Sequence, residues 1–168
     1  YRSHFALIRN PLITTYGLDT SALFGFVNQV LKLIRKESPE YLICAFDSKG
    51  KNFRHEIYED YKANRPEMPN ELQKQLPHLW EVLEALNITT IKKKGFEADD
   101  LIGTLVTKAS KNGLISYIVS GDKDFMQLIN DETFLYAPGT RKSPDPIIYD
   151  AKKVEERWGV LPNKITDL

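Results

Sequence analysis

The sequence has 168 residues, 42% of them hydrophobic and 27% charged, which excludes the low hydrophobicity of a disordered chain and fits one globular α/β domain with its own core. Lys+Arg 23 balance Asp+Glu 23, so a polyanion-binding surface has to come from local segregation of charge and not from global basicity. The single Cys44 excludes an internal disulfide and suits a reducing cytoplasm, and no apolar stretch approaches the roughly 20 residues that span a bilayer.

In chain order, Tyr1–Ile8, with its apolar cluster Phe5, Ala6, Leu7 and Ile8, reads as a helix ended by Asn10-Pro11, and 11–18 as a loop. Asp19 or Thr20 then caps an amphipathic helix whose Leu23, Phe24, Val27, Val30, Leu31 and Ile34 face the core. The apolar run Tyr41–Phe46 predicts a buried strand that ends directly in Asp47, with Cys44 as a small buried hydrophobe inside it. Residues 48–70 are polar and basic, and Leu72, Leu76, Leu79, Leu83 and Leu86 mark a second helix with a kink at Pro77.

Ile88–Ile91 is the next predicted strand, and Lys92–Lys94 a basic connection that reads as a solvated turn, with contact to a nucleic-acid backbone as the lesser alternative. A helix from about Glu97 to Lys111 stops at Asn112-Gly113, and Ile115–Val119 is a strand running into Ser120-Gly121 and Asp122. Thr133–Tyr136 and Ile147–Tyr149 are short strands around a loop that holds Arg141 and Lys142, and Asp150 caps a last helix to about Trp158. Strands alternating with helices predict a mostly parallel central sheet flanked by helices in a Rossmann-like three-layer arrangement.

Ligands of such sheets sit beyond the carboxyl ends of the strands. Asp47 falls at that edge, and so do Asp122 and Asp124, while Glu97, Asp99 and Asp100 open the intervening helix. Six carboxylates brought together would repel one another unless a cation joins them. Without His or Cys among them the set favours a hard cation, Mg²⁺ or Mn²⁺, over zinc. A pair of such ions roughly 4 Å apart serves phosphodiester hydrolysis. Any one of these acids alone reads as a turn residue or as a complement to a helix dipole; their convergence with Asp47 favours the metal site. Helical spacing pairs Glu97 with Asp100 and turns Asp99 away, so either Glu97 precedes the first turn or the ligand set differs.

A second constellation is KGKNFRHEIYEDYKANRP, residues 49–66. If 54–65 is helical, Arg54, Tyr58, Tyr61, Lys62 and Arg65 fall within about 100° of one another, with Glu56, Glu59 and Asp60 opposite. Cations interleaved with rings suit single-stranded nucleic acid, whereas a solvated helix with i, i+4 ion pairs is the plainer alternative. The position just after Asp47 favours substrate binding. His4, His55 and His78 have no ligand spacing and read as core or surface residues.

The stretches YRSHFAL, AFDSKGKNFRHEIYEDYKANRP, GFEADDLIG, SGDKDFMQL and YDAKKVEERWGV, in this order and at these separations, resemble the 5′-nuclease domain found at the N-terminus of bacterial DNA polymerase I, within the flap endonuclease-like, PIN-like superfamily. The resemblance covers essentially the whole chain. It implies a 5′-3′ exonuclease or 5′-flap endonuclease that cuts DNA phosphodiesters in replication and repair with two divalent ions, leaving a 3′-hydroxyl and a 5′-phosphate. It assigns Asp47, Glu97 and Asp99 to one ion and Asp122 and Asp124 to the other, with Asp100 close by. Lys62 and Arg65 match basic arch residues (region 48–70) that grip and polarise the scissile phosphate. Arg54, Tyr58 and Tyr61 match supports of the 5′ strand, and Tyr1 and Arg2 match a first helix beside the site.

The family also has a metal-binding Asp on a strand upstream of a Tyr-Arg pair like Tyr1-Arg2, and a helix–hairpin–helix segment with two more Asp residues after a run like ITDL. Neither lies in this sequence, so the expectation is a chain truncated at both ends that keeps the fold and has little nuclease activity by itself. The implied partners are DNA with 5′ ends or flaps and a covalently linked polymerase domain. The expected setting is a monomer in the bacterial cytoplasm with the nucleoid and no membrane attachment. The alternatives are a free-standing exonuclease of the same family, a PIN-like RNase, and a catalytically silent DNA-binding fragment.

Overall fold

A computed structural model of the chain describes residues 10–48, 50, 52–58, 60–63, 67–140 and 143–167. The expected helix over Tyr1–Ile8, with Arg2, and the residues Arg65, Arg141 and Lys142 lie outside the described residues. The chain packs as two compact units, the first from Tyr1–Phe46 and Lys51–Ile91, the second from Asp47–Gly50 and Lys92–Leu168.

In the first unit, the helices α1 (Ser21–Glu37), α2 (Phe53–Ile57) and α3 (Asn70–Ala85) accompany the strands β1 (Ile43–Ala45) and β2 (Thr89–Ile91). The two strands pair in parallel, Ile43 with Thr89 and Ala45 with Ile91. Val30, Leu83 and Ile88 are buried, and Phe26, Ile34, Leu79 and the Phe46–Trp80 ring pair pack on them. This differs from the predicted face of α1 in one respect: Phe24 is 55% exposed while Ser21 and Ala22 are buried.

The cause of that rotation is Gln75 of α3, 2% exposed. Its Oε1 accepts from Ala22 N–H and Leu23 N–H, both at 3.0 Å, and its Nε2 donates to Glu71 O at 3.0 Å. A helix start has N–H groups with no partner inside the helix, and here Thr20 supplies no side-chain cap. Asp19 Oδ1 takes the Ser21 N–H at 2.7 Å instead, and Gln75 takes the next two. The small residues at 21 and 22 turn inward at the point where the amide of another helix reaches the backbone of Ala22 and Leu23.

Two further expectations are corrected here. The predicted buried strand 41–46 is reduced to three residues and is only half covered, with Ile43 43% exposed; Cys44 is half-buried, and burial pushes its thiol pKa up, against a nucleophilic role. The predicted helix 54–65 ends at Ile57: Tyr58 is extended, Asp60–Ala63 form a turn, and Lys62 has φ +57°. Five residues are too few to stabilise a helix without tertiary packing, and none of α2 is buried. By contrast α3 runs unbroken through Pro77.

The second unit holds α4 (Ala98–Lys111), β3 (Ser116–Val119), β4 (Thr133–Ala137), β5 (Ile147–Tyr149) and α5 (Ala151–Trp158), with 3₁₀ turns at Lys123–Leu128 and Pro162–Asp167. β3 and β4 are parallel and β5 joins β4 antiparallel, so the described pairings are mostly parallel, as the alternation of elements predicts. Ile118, Leu135, Tyr149, Val154 and Ile165 form the core, with Ile102 and Val106 of α4 packed on it. Asn112-Gly113 ends α4 with Gly113 at φ +69°, and Asp150 caps α5 by accepting from Lys153 N–H at 2.8 Å. Among the described residues no helix is long and apolar enough to cross a membrane.

Candidate metal and nucleic-acid site

The acidic residues all belong to the second unit. Asp47, two residues beyond the end of β1, accepts the Ala98 N–H on Oδ1 at 2.7 Å, across 51 residues of sequence. Glu97 is the N-cap of α4, with extended backbone at φ −87° and ψ 162°. Of the two possibilities raised by the spacing, Glu97 therefore precedes the first turn. Asp100 Oδ2 accepts from Glu97 N–H at 2.9 Å, and the Glu97 side chain faces the Asp100 N–H in return, a reciprocal capping box.

Asp47, Glu97 and Asp100 are thus gathered on the backbone amides of one helix start, where the partial positive charge of the helix offsets part of their mutual repulsion. Asp99 lies in the same first turn and is exposed.

Asp122 and Asp124 follow the carboxyl end of β3 and are exposed. Ser120 N–H donates to Tyr136 O at 3.1 Å and extends the ladder by one residue. The Asp122 N–H then donates to Ser120 Oγ, and Asp122 Oδ1 accepts from Asp124 N–H, each at 3.1 Å. Asp122 so caps the 3₁₀ turn Lys123–Leu128, which Phe125 and Met126 anchor in the core.

Among the described residues no three His, Cys, Asp or Glu side chains stand close enough to hold one ion together. The donor chemistry nonetheless fits a hard cation, because every donor is a carboxylate oxygen at or beside the surface. Mg²⁺ needs no protein cage: it keeps several waters and is bound by one or two carboxylates together with substrate phosphates.

The basic and aromatic residues expected on one helical face are in the first unit and meet by another route. Asn52, 7% exposed, caps α2 by accepting from Arg54 N–H at 3.1 Å, and its own N–H donates to His55 Nδ1 at 3.2 Å. The His55 ring meets the Tyr61 ring edge-on at 5.5 Å. The Arg54 guanidinium lies 4.6 Å from the Phe53 ring centre and 5.9 Å from that of Tyr61, and Lys62 Nζ lies 5.0 Å from the latter. Arg54, Tyr61 and Lys62 therefore cluster around one ring through a turn, while Tyr58 is 61% exposed and stands apart from these ring pairings. Asn52 and His55, which sequence reasoning passed over, hold the turn. The signal available for them was Asn three residues before His at a helix start, the spacing of a capping box.

The fold, with its parallel strands and acid-bearing strand ends, is that of T5 5′-exonuclease. The structure of that protein with bound divalent zinc gives a TM-score of 0.61 at 20% identity, covering 84% of this chain and 55% of that one. A T5 flap endonuclease complex with DNA and metal ions gives 0.58 at 22% identity, over 82% and 52%.

Residues 1–159 match the model of the 5′-3′ exonuclease, N-terminal resolvase-like domain, and the chain belongs to that family. DNA polymerase I of Caldicellulosiruptor bescii is 40% identical over 169 residues, which are 99% of this chain and 20% of that protein. The 5′-3′ exonuclease of Aquifex aeolicus is 38% identical over 167 residues, 99% of this chain and 55% of that protein. The chain thus spans between about a fifth and about half of the length of these relatives.

Proposed function

We propose that this chain is the nuclease part of a metal-dependent 5′-3′ exonuclease and 5′-flap endonuclease that hydrolyses DNA phosphodiesters in replication and repair, within a bacterial DNA polymerase I. The observation that carries the reading is the hydrogen bond from Ala98 N–H to Asp47. It brings the acid that follows one strand to the acids that open a distant helix, in a chain whose relatives are named DNA polymerase I and 5′-3′ exonuclease. The family match runs across both compact units, which supports a single nuclease domain with 48–70 as its arch.

In this reading one or two of Asp47, Glu97 and Asp99, together with waters and substrate phosphates, would hold one divalent cation and Asp122 and Asp124 a second, with Asp100 orienting Glu97. Two Mg²⁺ or Mn²⁺ ions would supply activation of the attacking water and neutralisation of the leaving oxygen. Water adds to phosphorus, the bond to the 3′ oxygen breaks, and the products are a 3′-hydroxyl and a 5′-phosphate. Lys62 and Arg65 balance the charge that grows on the scissile phosphate. Arg54, Tyr58 and Tyr61 hold the 5′ strand by phosphate contact and stacking, and Arg2, outside the described residues, is assigned to the same DNA-binding role by the resemblance alone. The substrate is DNA with a 5′ end or flap, met by a monomer in the cytoplasm with the nucleoid.

Offered the same 5′ flap as DNA and as RNA, the full-length protein should cut the DNA and leave a 5′-phosphate. Cleavage confined to the RNA flap, or none on either, would overturn the reading. Lys62→Ala should lower kcat by about 10²-fold, the scale set by loss of one transition-state donor. Flap affinity should fall only a few-fold, since one phosphate contact is a small part of the binding; a change in affinity alone would make Lys62 a grip on the strand. A free-standing exonuclease is the second reading, favoured by the Aquifex aeolicus relative, of which this chain covers 55%. A reading frame that continues into a polymerase would decide against it.

A further inference from the structure

We infer that the turn Lys92–Lys94 binds DNA backbone phosphates beside the acidic residues, in addition to the phosphate contacts of the arch. The inference rests on the nuclease reading above for the identity of the polyanion. Between Ala85 and Phe96 the sequence has no acid, and the three lysines stand together and exposed within it. In a chain whose basic and acidic residues balance, this is the local segregation of charge that a polyanion requires.

The geometry fixes the turn to the acidic residues. Phe96 N–H donates to Lys93 O at 3.2 Å, and Gly95 takes φ +83° at the third position, where a type II turn demands a left-handed residue. Glu97, the N-cap of α4, follows directly. Ser48, the residue after Asp47, donates its hydroxyl to Phe96 O at 3.2 Å. The basic turn is therefore tied at one point to the Asp47–Ser48 segment and at another to the helix start that carries Glu97 and Asp100.

Lys93 Nζ lies 4.8 Å from the centre of the Phe96 ring, which is 37% exposed. That pairing holds one ammonium over a ring beside the acids, and a cation next to an exposed ring is the arrangement that a nucleic-acid strand uses. The function of these lysines is to take backbone phosphates next to the one being cut.

The test is the salt dependence of binding of 5′-flap DNA to the full-length protein. Removing each ammonium that neutralises a phosphate should flatten the slope of log K against log salt by about 0.9 on duplex and about 0.7 on single strand. Lys92, Lys93 and Lys94, all changed to Ala, should therefore make the slope shallower by roughly 2–3 and raise KM for the flap. Changing the three to Arg should restore both. A charge-matched variant with Lys108, Lys111 and Lys152 changed to Ala should keep the slope of the unaltered protein. Separate titrations with a blunt duplex and with a single strand show which part of the substrate the turn touches, and flattening on either supports the inference. An unchanged slope on both, or equal flattening in the charge-matched variant, overturns it. Cleavage by the unaltered protein, measured alongside, tests the nuclease reading independently.

Discussion

Asp122→Asn in the full-length protein should reduce 5′-flap cleavage by more than about 10²-fold and leave flap binding largely intact. The magnitude follows from the cost of disturbing groups that merely orient metal ligands, which is already about 10–100-fold. The substitution keeps the shape of the side chain and removes its charge. Asp122 Oδ1 accepts the Asp124 N–H, and an Asn oxygen accepts the same hydrogen bond and caps a turn about as well. The core beneath, Phe125 and Met126, is untouched. Loss of activity would therefore point to a charge needed for catalysis and not to loss of the turn. Asp131→Asn, at an exposed acid in the loop before β4, is the control and should cleave normally. Undiminished turnover by the Asp122 variant would remove this residue from the proposed ligands.

The second large effect concerns stability. Gln75→Leu should destabilise the first unit by about 2–4 kcal/mol, since each buried N–H left without a partner costs about 1–3 kcal/mol. The residue has similar bulk, so the loss is of hydrogen bonds and not of packing volume. The Ala22 and Leu23 amides would lose their acceptor and α1 its cap. Trp80, packed on Phe46 at 4.3 Å between ring centres in the same unit, provides the fluorescence signal for urea unfolding. Hydrogen exchange at Ala22 and Leu23 should accelerate in parallel. A loss below about 1 kcal/mol would mean that water or a neighbouring group takes over both N–H groups.

The elements that announce themselves in the sequence are those fixed by local chemistry. Asp150 before α5, Asn112-Gly113 after α4, and the β-branched pair in Ile147–Tyr149 are each decided within a few residues of chain. Asp47, Asp122 and Asp124 are also legible as acids that follow the carboxyl ends of strands; that Asp47 accepts the Ala98 N–H at the start of α4 is a pairing across 51 residues that spacing does not give. What the sequence hides is tertiary. The face α1 buries is chosen by Gln75, 53 residues after Ala22. The only local sign is a polar side chain lying on the same stripe as Leu72, Leu79 and Leu83. The segment after Asn52 has the periodicity of a longer helix, yet α2 stops after five residues. Arg54 and Lys62 then meet on the Tyr61 ring through a turn that periodicity does not describe.

The central claim is that these acids act on a phosphodiester with divalent cations. Its most direct test is cleavage of an end-labelled 5′-flap DNA by the full-length protein in EDTA, then with Mg²⁺ or Mn²⁺ restored. The predicted result is no product in EDTA and recovery on restoration, with a 5′-phosphate on the cut strand. Cleavage at an equal rate in EDTA would contradict it.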